Sequence, residues 1–377
     1  MSAMKRRTLM QAAAMGAIGG GWGLESRAQG DRGGDALSAK DQGYRMPLES
    51  GGHTRTFMQW PTNSRVYGGA RWLREAQAAI ARIANAIVPF EPVVMLAPVK
   101  ERERLRKHLS REVEHWGIPT DDLWCRDSGP TFVRSAEGKL AVSELNFNGW
   151  GGKQVFRHDG AIAARVAERM ALPLIDSGLV GEGGGVETDG AGTLLAHESS
   201  WVIENRNPGM SRDEVERRLC GAFGAEKVIW ARGLKDRDIT DYHIDSLARW
   251  VEPGRVLIER PDEIDADDPW GRAARETEAV LRAAVDSRGQ KLEVVTVTPP
   301  QDVRSTSRDF VGSYANYYVC NGAVIASEFG DKDRDAAAQK TLSTLYPGRE
   351  IVMLNTDPIA EAGGGIHCAT QQQPAAG

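Results

Sequence analysis

Cys368 lies nine residues from the C-terminus of this 377-residue chain, directly after Gly363-Gly364-Gly365-Ile366-His367. A glycine run admits close backbone approach, and the β-capable Ile366-His367-Cys368 stretch is expected to hold the thiol at the mouth of a strand. A cysteine so presented is either a nucleophile or half of a disulfide. Four other polar groups share its chemistry: Asp127, Glu182, the His243–Asp245 pair and Asn316. A cysteine attacks as the thiolate, and its free pKa of about 8.5 needs a positive neighbour near neutral pH. Carboxylates gathered in one pocket repel each other and lose hydration, which is tolerable when the ligand brings positive charge. A planar guanidinium, with its fork of donors, matches paired carboxylates. Asp127, Glu182 and Asp245 beside Cys368 therefore fit a guanidinium held for attack at its carbon. His243 would protonate the departing ammonia and then deprotonate the incoming water.

Each motif also has a plainer reading. Asp127 in Trp124-Cys125-Arg126-Asp127-Ser128-Gly129-Pro130 could be a structural Arg–Asp pair in a turn, and His243-Ile244-Asp245 a surface strand with two side chains on one face. Glu182 precedes Gly183-Gly184-Gly185, but no Lys-Ser/Thr follows, which argues against a phosphate loop. A metal held by His243, Asp245 and Cys368 would lack the second-histidine spacing of common zinc sites, so no metal is expected. Phe147-Asn148-Gly149-Trp150-Gly151-Gly152 either walls a pocket or turns a corner, and Asn205-Arg206-Asn207-Pro208-Gly209 reads as a structural loop.

The elements that must position these groups repeat. Four hairpins are readable as alternating runs around turn residues: 131–142, 186–195, 247–258 and 317–325. Apolar residues at three- and four-residue spacing predict helices over 71–87, 161–170, 212–223, 270–285 and 333–345. Ser211 with Glu214 forms a capping box, and Asp331 or Asp333 caps the last helix. A short buried strand follows each helix, at 93–96, 172–175, 228–230, 292–297 and 351–354. The hairpin glycines 138, 190, 254 and 322 recur at a period that suggests a propeller or array. A fifth hairpin needs Phe57-Met58-Gln59-Trp60 beside the Cys368 segment, from opposite ends of the chain. Asp127, Glu182, His243, Asp245, Asn316 and Cys368 precede the hairpins at equivalent places, so a ring of such units would converge them on one axis.

Composition bounds the rest. A net charge of −5, from 47 basic and 52 acidic residues, gives no nucleic-acid footprint. Cys125, Cys220, Cys320 and Cys368 are too widely spaced for a CxxC motif, though two disulfides are permitted. Lys5-Arg6-Arg7, a weakly apolar stretch and Ser26-Arg27-Ala28 lay out an export signal over 1–29, with the arginine pair pointing to the twin-arginine route and a periplasmic destination. No stable membrane association is expected once that signal is cut. Residues 30–43 read as a polar linker and 44–377 as one catalytic domain, with homo-oligomerisation left open.

On the stretches Trp124–Val133, Phe147–Gly152, Glu182–His197, Asn205–Gly209, His243-Ile244-Asp245, Ser313-Tyr314-Ala315-Asn316 and Gly363–Gln372, the chain closely resembles the agmatine deiminases, grouped with bacterial peptidylarginine deiminases. The resemblance implies an α/β pentein fold, a five-bladed propeller of ββαβ units with pseudo-fivefold symmetry. It implies Cys368 as nucleophile, His243 as acid and base, and Asp127, Glu182 and Asp245 facing the guanidinium. Trp124, Trp150, Asn316 and Gly365 are the expected further substrate contacts. The implied reaction is hydrolysis of agmatine to N-carbamoylputrescine and ammonia through a covalent thiouronium, without metal or cofactor. Two positions depart from the family pattern: Gly365 where Asn is usual, and Tyr242 where Gly is common. Export is unusual for a polyamine enzyme and keeps a peptidylarginine or free-arginine deiminase as the alternative. A third reading is an exported binder of cationic guanidino or polyamine ligands with an inert Cys368.

Overall fold

The computed structural model describes residues 37–376 apart from 266 and 308. The expected export signal lies outside the described residues. The packed domain begins before the expected linker ends. Ala39 is fully buried, and the Lys40 amide donates to the Gly221 carbonyl at 2.9 Å.

The alternating runs do form hairpins, and each hairpin continues through a helix into a parallel third strand, giving five small sheets. One contains Thr131–Ser135, Leu140–Glu144 and Leu174–Asp176, extended by Tyr44–Arg45. The next pairs Val186–Thr188 with Thr193–His197, which then runs parallel to Lys227–Ala231. Ala248–Glu252, Arg255–Glu259 and Glu293–Val297 form another. Tyr318–Cys320, Ala323–Glu328 and Glu350–Asn355 repeat the pattern. In the remaining sheet the C-terminal strand Thr370–Pro374 lies antiparallel to His53–Gln59, with Thr370 opposite Met58, and Val93–Leu96 and Glu114–Trp116 follow in parallel. The two ends of the chain thus complete one sheet, as the sequence required.

The connecting helices are Ala70–Ile87, Ile162–Arg169, Arg212–Phe223, Pro269–Ala283 and Lys332–Leu345, each within two residues of its expected limits. Amphipathic spacing explains them: Ala70–Ile87 buries Leu73, Ala76, Ile80, Ile83, Ala84 and Ile87 on one face. The Ser211 hydroxyl accepts the Glu214 amide, and Asp331 accepts that of Arg334. The capping box is only half formed, because the Glu214 carboxylate turns to Arg217 and Arg218 at 2.5 and 2.6 Å instead.

One local expectation is corrected. Ile366-His367-Cys368 is not strand but a turn, with Ala369 and Thr370 amides donating back to the Ile366 and His367 carbonyls at 3.1 Å each. The Thr370 hydroxyl also takes the Ile366 carbonyl at 3.0 Å. These local bonds outcompete sheet pairing, so the strand starts two residues beyond the thiol.

Gly224 closes the helix Arg212–Phe223 at φ 64°, and a Cβ there would stand 2.1 Å from the Tyr44 carbonyl oxygen. Gly224→Ala combines a left-handed backbone, itself worth about 1–2 kcal/mol, with a backbone collision. The expected outcome is a clear drop in the urea midpoint; an unchanged midpoint would mean that the Tyr44 strand yields freely.

Candidate active site

The same end of each hairpin carries the chemistry. Asp127 lies in the helical turn Cys125–Ser128 ahead of Thr131, and Glu182 precedes the turn Gly183–Gly185 ahead of Val186. His243 precedes the turn Ile244–Ser246, which carries Asp245, ahead of Ala248. Asn316 and Cys368 each stand two residues before a strand. His243-Ile244-Asp245 is therefore not an extended run. The Leu247 amide closes on the Ile244 carbonyl at 2.9 Å and Ser246 Oγ donates to the His243 carbonyl at 3.0 Å, which bends the chain after His243.

These turns bring the expected residues together. Cys368 Sγ lies 3.2 Å from Asn316 Nδ2 and 3.4 Å from Asp245 Oδ2. The Cys368 amide donates to Asn316 Oδ1 at 3.3 Å, so one amide side chain holds both ends of the cysteine. His243 Nε2 is 3.1 Å from Glu182 Oε2, and Nδ1 is 3.6 Å from Asp127 Oδ1. Trp150 Nε1 donates to Asp127 Oδ2 at 2.9 Å, and the Gly184 amide donates to Oδ1 at 3.1 Å. The glycine run has its reason here. A Cβ on Gly184 would stand 2.7 Å from Asp127 Oδ1, 2.8 Å from His243 Nδ1 and 3.1 Å from Asp245 Oδ2. Only a residue without a side chain admits all three.

The remaining expected contacts frame the thiol. The Trp124 indole covers Gly364, where a Cβ would meet it at 2.5 Å. Gly365 faces Asn316, whose Oδ1 would be 2.5 Å from a Cβ, so the missing side chain makes room for the amide that touches Sγ. Trp150 adopts φ 56°, and its ring meets Phe147 edge-on at 5.0 Å. Cys368, His243, Asp127, Asp245, Glu182, Asn316, Trp124 and Trp150 are all buried. All four cysteines are free, so Cys368 is no staple. Among the described residues no group of three or more His, Cys, Asp or Glu is arranged to hold a metal ion.

The structure adds partners that the sequence did not reveal. Both oxygens of Glu182 lie 2.9 Å from Arg206 Nε, and Arg206 Nη1 reaches Asp241 Oδ2 at 2.8 Å. Glu182 is thus engaged by Arg206 and His243 rather than left open toward a guanidinium. His367 Nδ1 and Nε2 each meet a carboxylate at 2.8 Å, Asp245 Oδ2 on one side and Glu49 Oε2 on the other. Glu49 in turn pairs with Arg126 at 3.0 Å and Arg249 at 2.9 Å. Asp245 Oδ1 is buried and has no hydrogen-bond partner. By its sequence Arg206 belongs to a structural loop, and Glu49 carries no motif. His367 had one available signal, its place beside the thiol.

The electrostatics follow. Burial, then the Asp245 and Asp127 charges, push the Cys368 thiol well above its ordinary range. Burial, with Asp245 and Glu182 nearby, raises the Asp127 carboxyl to about 6 against the pull of His243. Burial alone would lower His243, but Asp127, Glu182 and Asp245 outweigh it and hold the imidazole at about 9. Burial would raise Asp245 too, yet the hydrogen bond and charge of His367 keep it below the usual carboxylate range. The site therefore holds a protonated thiol among carboxylates, one oxygen of which lacks a donor.

Fold and site together define an α/β protein with a thiol buried among carboxylates. The model of the Porphyromonas-type peptidyl-arginine deiminases matches residues 45–374, and the chain belongs to that family. It is 38% identical over 338 residues to a putative agmatine deiminase of Streptomyces coelicolor, covering 88% of this chain and 99% of that one. It is 36% identical over 364 residues to the agmatine deiminase of Pseudomonas aeruginosa, covering 88% and 96%. The structure of an agmatine deiminase from Enterococcus faecalis superposes with a TM-score of 0.83 at 27% identity, covering 91% of this chain and 99% of that one.

A cation should switch the thiol on. Chloroacetamidine, a cationic alkylator, is expected to label Cys368 faster than neutral iodoacetamide at pH 7, read by peptide mass spectrometry, and Asp127→Asn should erase the preference. Equal labelling of Cys125, Cys220 or Cys320 would count against the pocket's selectivity.

Proposed function

We propose that this chain hydrolyses agmatine to N-carbamoylputrescine and ammonia. The observation that carries the reading is a buried thiol beside an Asp245 oxygen with no donor, within reach of the buried carboxylates Asp127 and Glu182. Relatives named as agmatine deiminases, matched over nearly their whole length, support the substrate class.

In this reading the guanidinium supplies donors to Asp245 Oδ1 and Asp127, and its charge offsets the two carboxylates that raise the thiol. As the cation binds, Cys368 passes its proton to Asp245 Oδ2, 3.4 Å away, and the thiolate attacks the guanidinium carbon, forming a C–S bond. Protonated His243 gives its proton to one amino nitrogen, which leaves as ammonia and yields a thiouronium on Sγ. Neutral His243 then takes a proton from water as its oxygen adds to the same carbon. The C–S bond breaks, the carbonyl forms, the hydroxyl proton passes to ammonia, and the departing sulfur takes its proton back from Asp245, so the enzyme is regenerated. Glu182, held by Arg206, fixes the far nitrogen of His243. Asn316 holds Sγ in line. Burial of the whole site under Trp124, Phe147 and Trp150 favours a small linear substrate over a polypeptide main chain.

The test compares agmatine, free arginine and an arginine peptide by ammonia release. Agmatine is expected to have the highest kcat/KM, and Cys368→Ala should lower kcat by roughly 10⁴-fold or more. A faster peptide would make this a peptidylarginine deiminase, and an unaffected Cys368→Ala would remove the nucleophile.

The pH profile gives a second check. Asp127 becomes anionic as pH rises through about 6, so kcat/KM should climb there. His243 loses the proton it must donate as pH rises through about 9, so kcat/KM should fall there. A profile that keeps rising past the alkaline limb would exclude His243 as the acid.

A further inference from the structure

Asp241 stands two residues before His243 and contacts neither the thiol nor any carboxylate facing it, yet its surroundings are built. It is fully buried. Its Oδ2 takes two cations at once, Lys153 Nζ at 2.6 Å and Arg206 Nη1 at 2.8 Å. Its Oδ1 accepts the Asp236 amide at 2.8 Å, and its carbonyl accepts Ser199 Oγ at 2.6 Å. Asp241 and Tyr242 sit at φ 59° and 71°, a left-handed conformation that side-chain-bearing residues adopt at a cost. That conformation is held by the contacts just named and by His197 Nδ1, 2.8 Å from the Tyr242 carbonyl.

Two chains of contacts leave Asp241 and end on opposite nitrogens of the same imidazole. One runs through Arg206 to both oxygens of Glu182 and from there to His243 Nε2. The other runs through Lys153 into the strap that carries Trp150, whose indole holds Asp127 against His243 Nδ1. Lys153 also ties the strap down through the carbonyls of Asp238 and Ile239, at 3.4 and 3.2 Å. Around this ring three carboxylates, Asp241, Glu182 and Asp127, alternate with three cationic groups, Arg206, Lys153 and protonated His243.

We propose that Asp241 is a positioning residue that sets both the orientation and the proton affinity of His243, by holding Arg206 on one side of it and the Trp150 strap on the other. It rests on the deiminase reading for its kinetic consequence but not for its structural one. Removing the Asp241 charge leaves Arg206 and Lys153 unbalanced. Arg206 then withdraws more of Glu182's negative field from His243, and the imidazole binds its proton less well. Removing the Lys153 charge does the reverse. The other charged groups facing His243 are unchanged by either substitution: Asp245, and His197, whose ring packs on Tyr242.

The experiment is the titration of the His243 imidazole by NMR in the full chain, with its resonance among the 7 histidines assigned through His243→Gln. Asp241→Asn should move the midpoint to lower pH, and Lys153→Gln should move it to higher pH, each by roughly half a unit or more. The alkaline limb of kcat/KM should shift with it, and Lys153→Gln should raise KM more than it lowers kcat, because Lys153 ties down the segment whose Trp150 holds Asp127. Opposite shifts are a signature that mere loss of stability does not produce. Should Asp241→Asn fail to fold, Lys153→Gln, on a partly exposed residue, carries the test alone, and an upward shift supports the proposal. Midpoints that stay at the wild-type value, or that move in the same direction in both variants, overturn it. The titration needs no substrate. If the wild type hydrolyses no guanidine yet the midpoints move apart, the deiminase reading fails and the role of Asp241 stands.

Discussion

The structure is organised around burying several carboxylates beside a thiol. Asp127, Glu182, Asp245, Glu49 and Glu187 all lie in the interior. Each buried anion costs several kcal/mol unless a cation or donors meet it. Most of them are met. Arg206 takes Glu182, His367 takes Asp245 on one oxygen, and Arg126 and Arg249 take Glu49. What remains unmet is one oxygen of Asp245. That remainder is located where Sγ could reach a ligand's carbon, so the electrostatic deficit and the nucleophile coincide.

Holding so many polar groups at contact distance demands backbone where side chains would ordinarily sit. Gly184, Gly364 and Gly365 supply it, each at a point where a Cβ would collide with a site residue. The left-handed turns at Trp150, Asp241 and Tyr242 supply the same service at a conformational cost. Asn146, Ala171 and Asp236 are left-handed as well, but Trp150 donates to Asp127, and Asp241 and Tyr242 lead directly into His243. Surrounding contacts hold them: Asn148 caps the Trp150 turn by accepting the Gly151 amide, and Lys153 secures its far side.

The repeat was legible in the sequence because its signals are local. Turn glycines at 138, 190, 254 and 322, alternation in the hairpins and helical spacing between them place the strands and helices to within a few residues. The polar residues ahead of the hairpins could be named for the same reason: a repeated unit puts equivalent positions at equivalent ends. Where reading failed, short-range bonds had won. The Thr370 hydroxyl and two backbone amides fold Ile366–Cys368 into a turn that its β-capable side chains do not announce.

What the sequence determined by itself is the residue inventory, the repeated unit and hence which groups could meet. Tertiary structure decided how they are paired. Arg206 looked like part of a loop and Glu49 carried no pattern, because ion pairing depends on which side chains arrive across 24 or 318 positions of chain, as in Arg206–Glu182 and His367–Glu49. The same holds for Glu182, whose type suits a guanidinium but whose oxygens are already taken. Local propensity is written along the chain, whereas the assignment of each buried charge to its partner exists only once the sheets have brought their turns together.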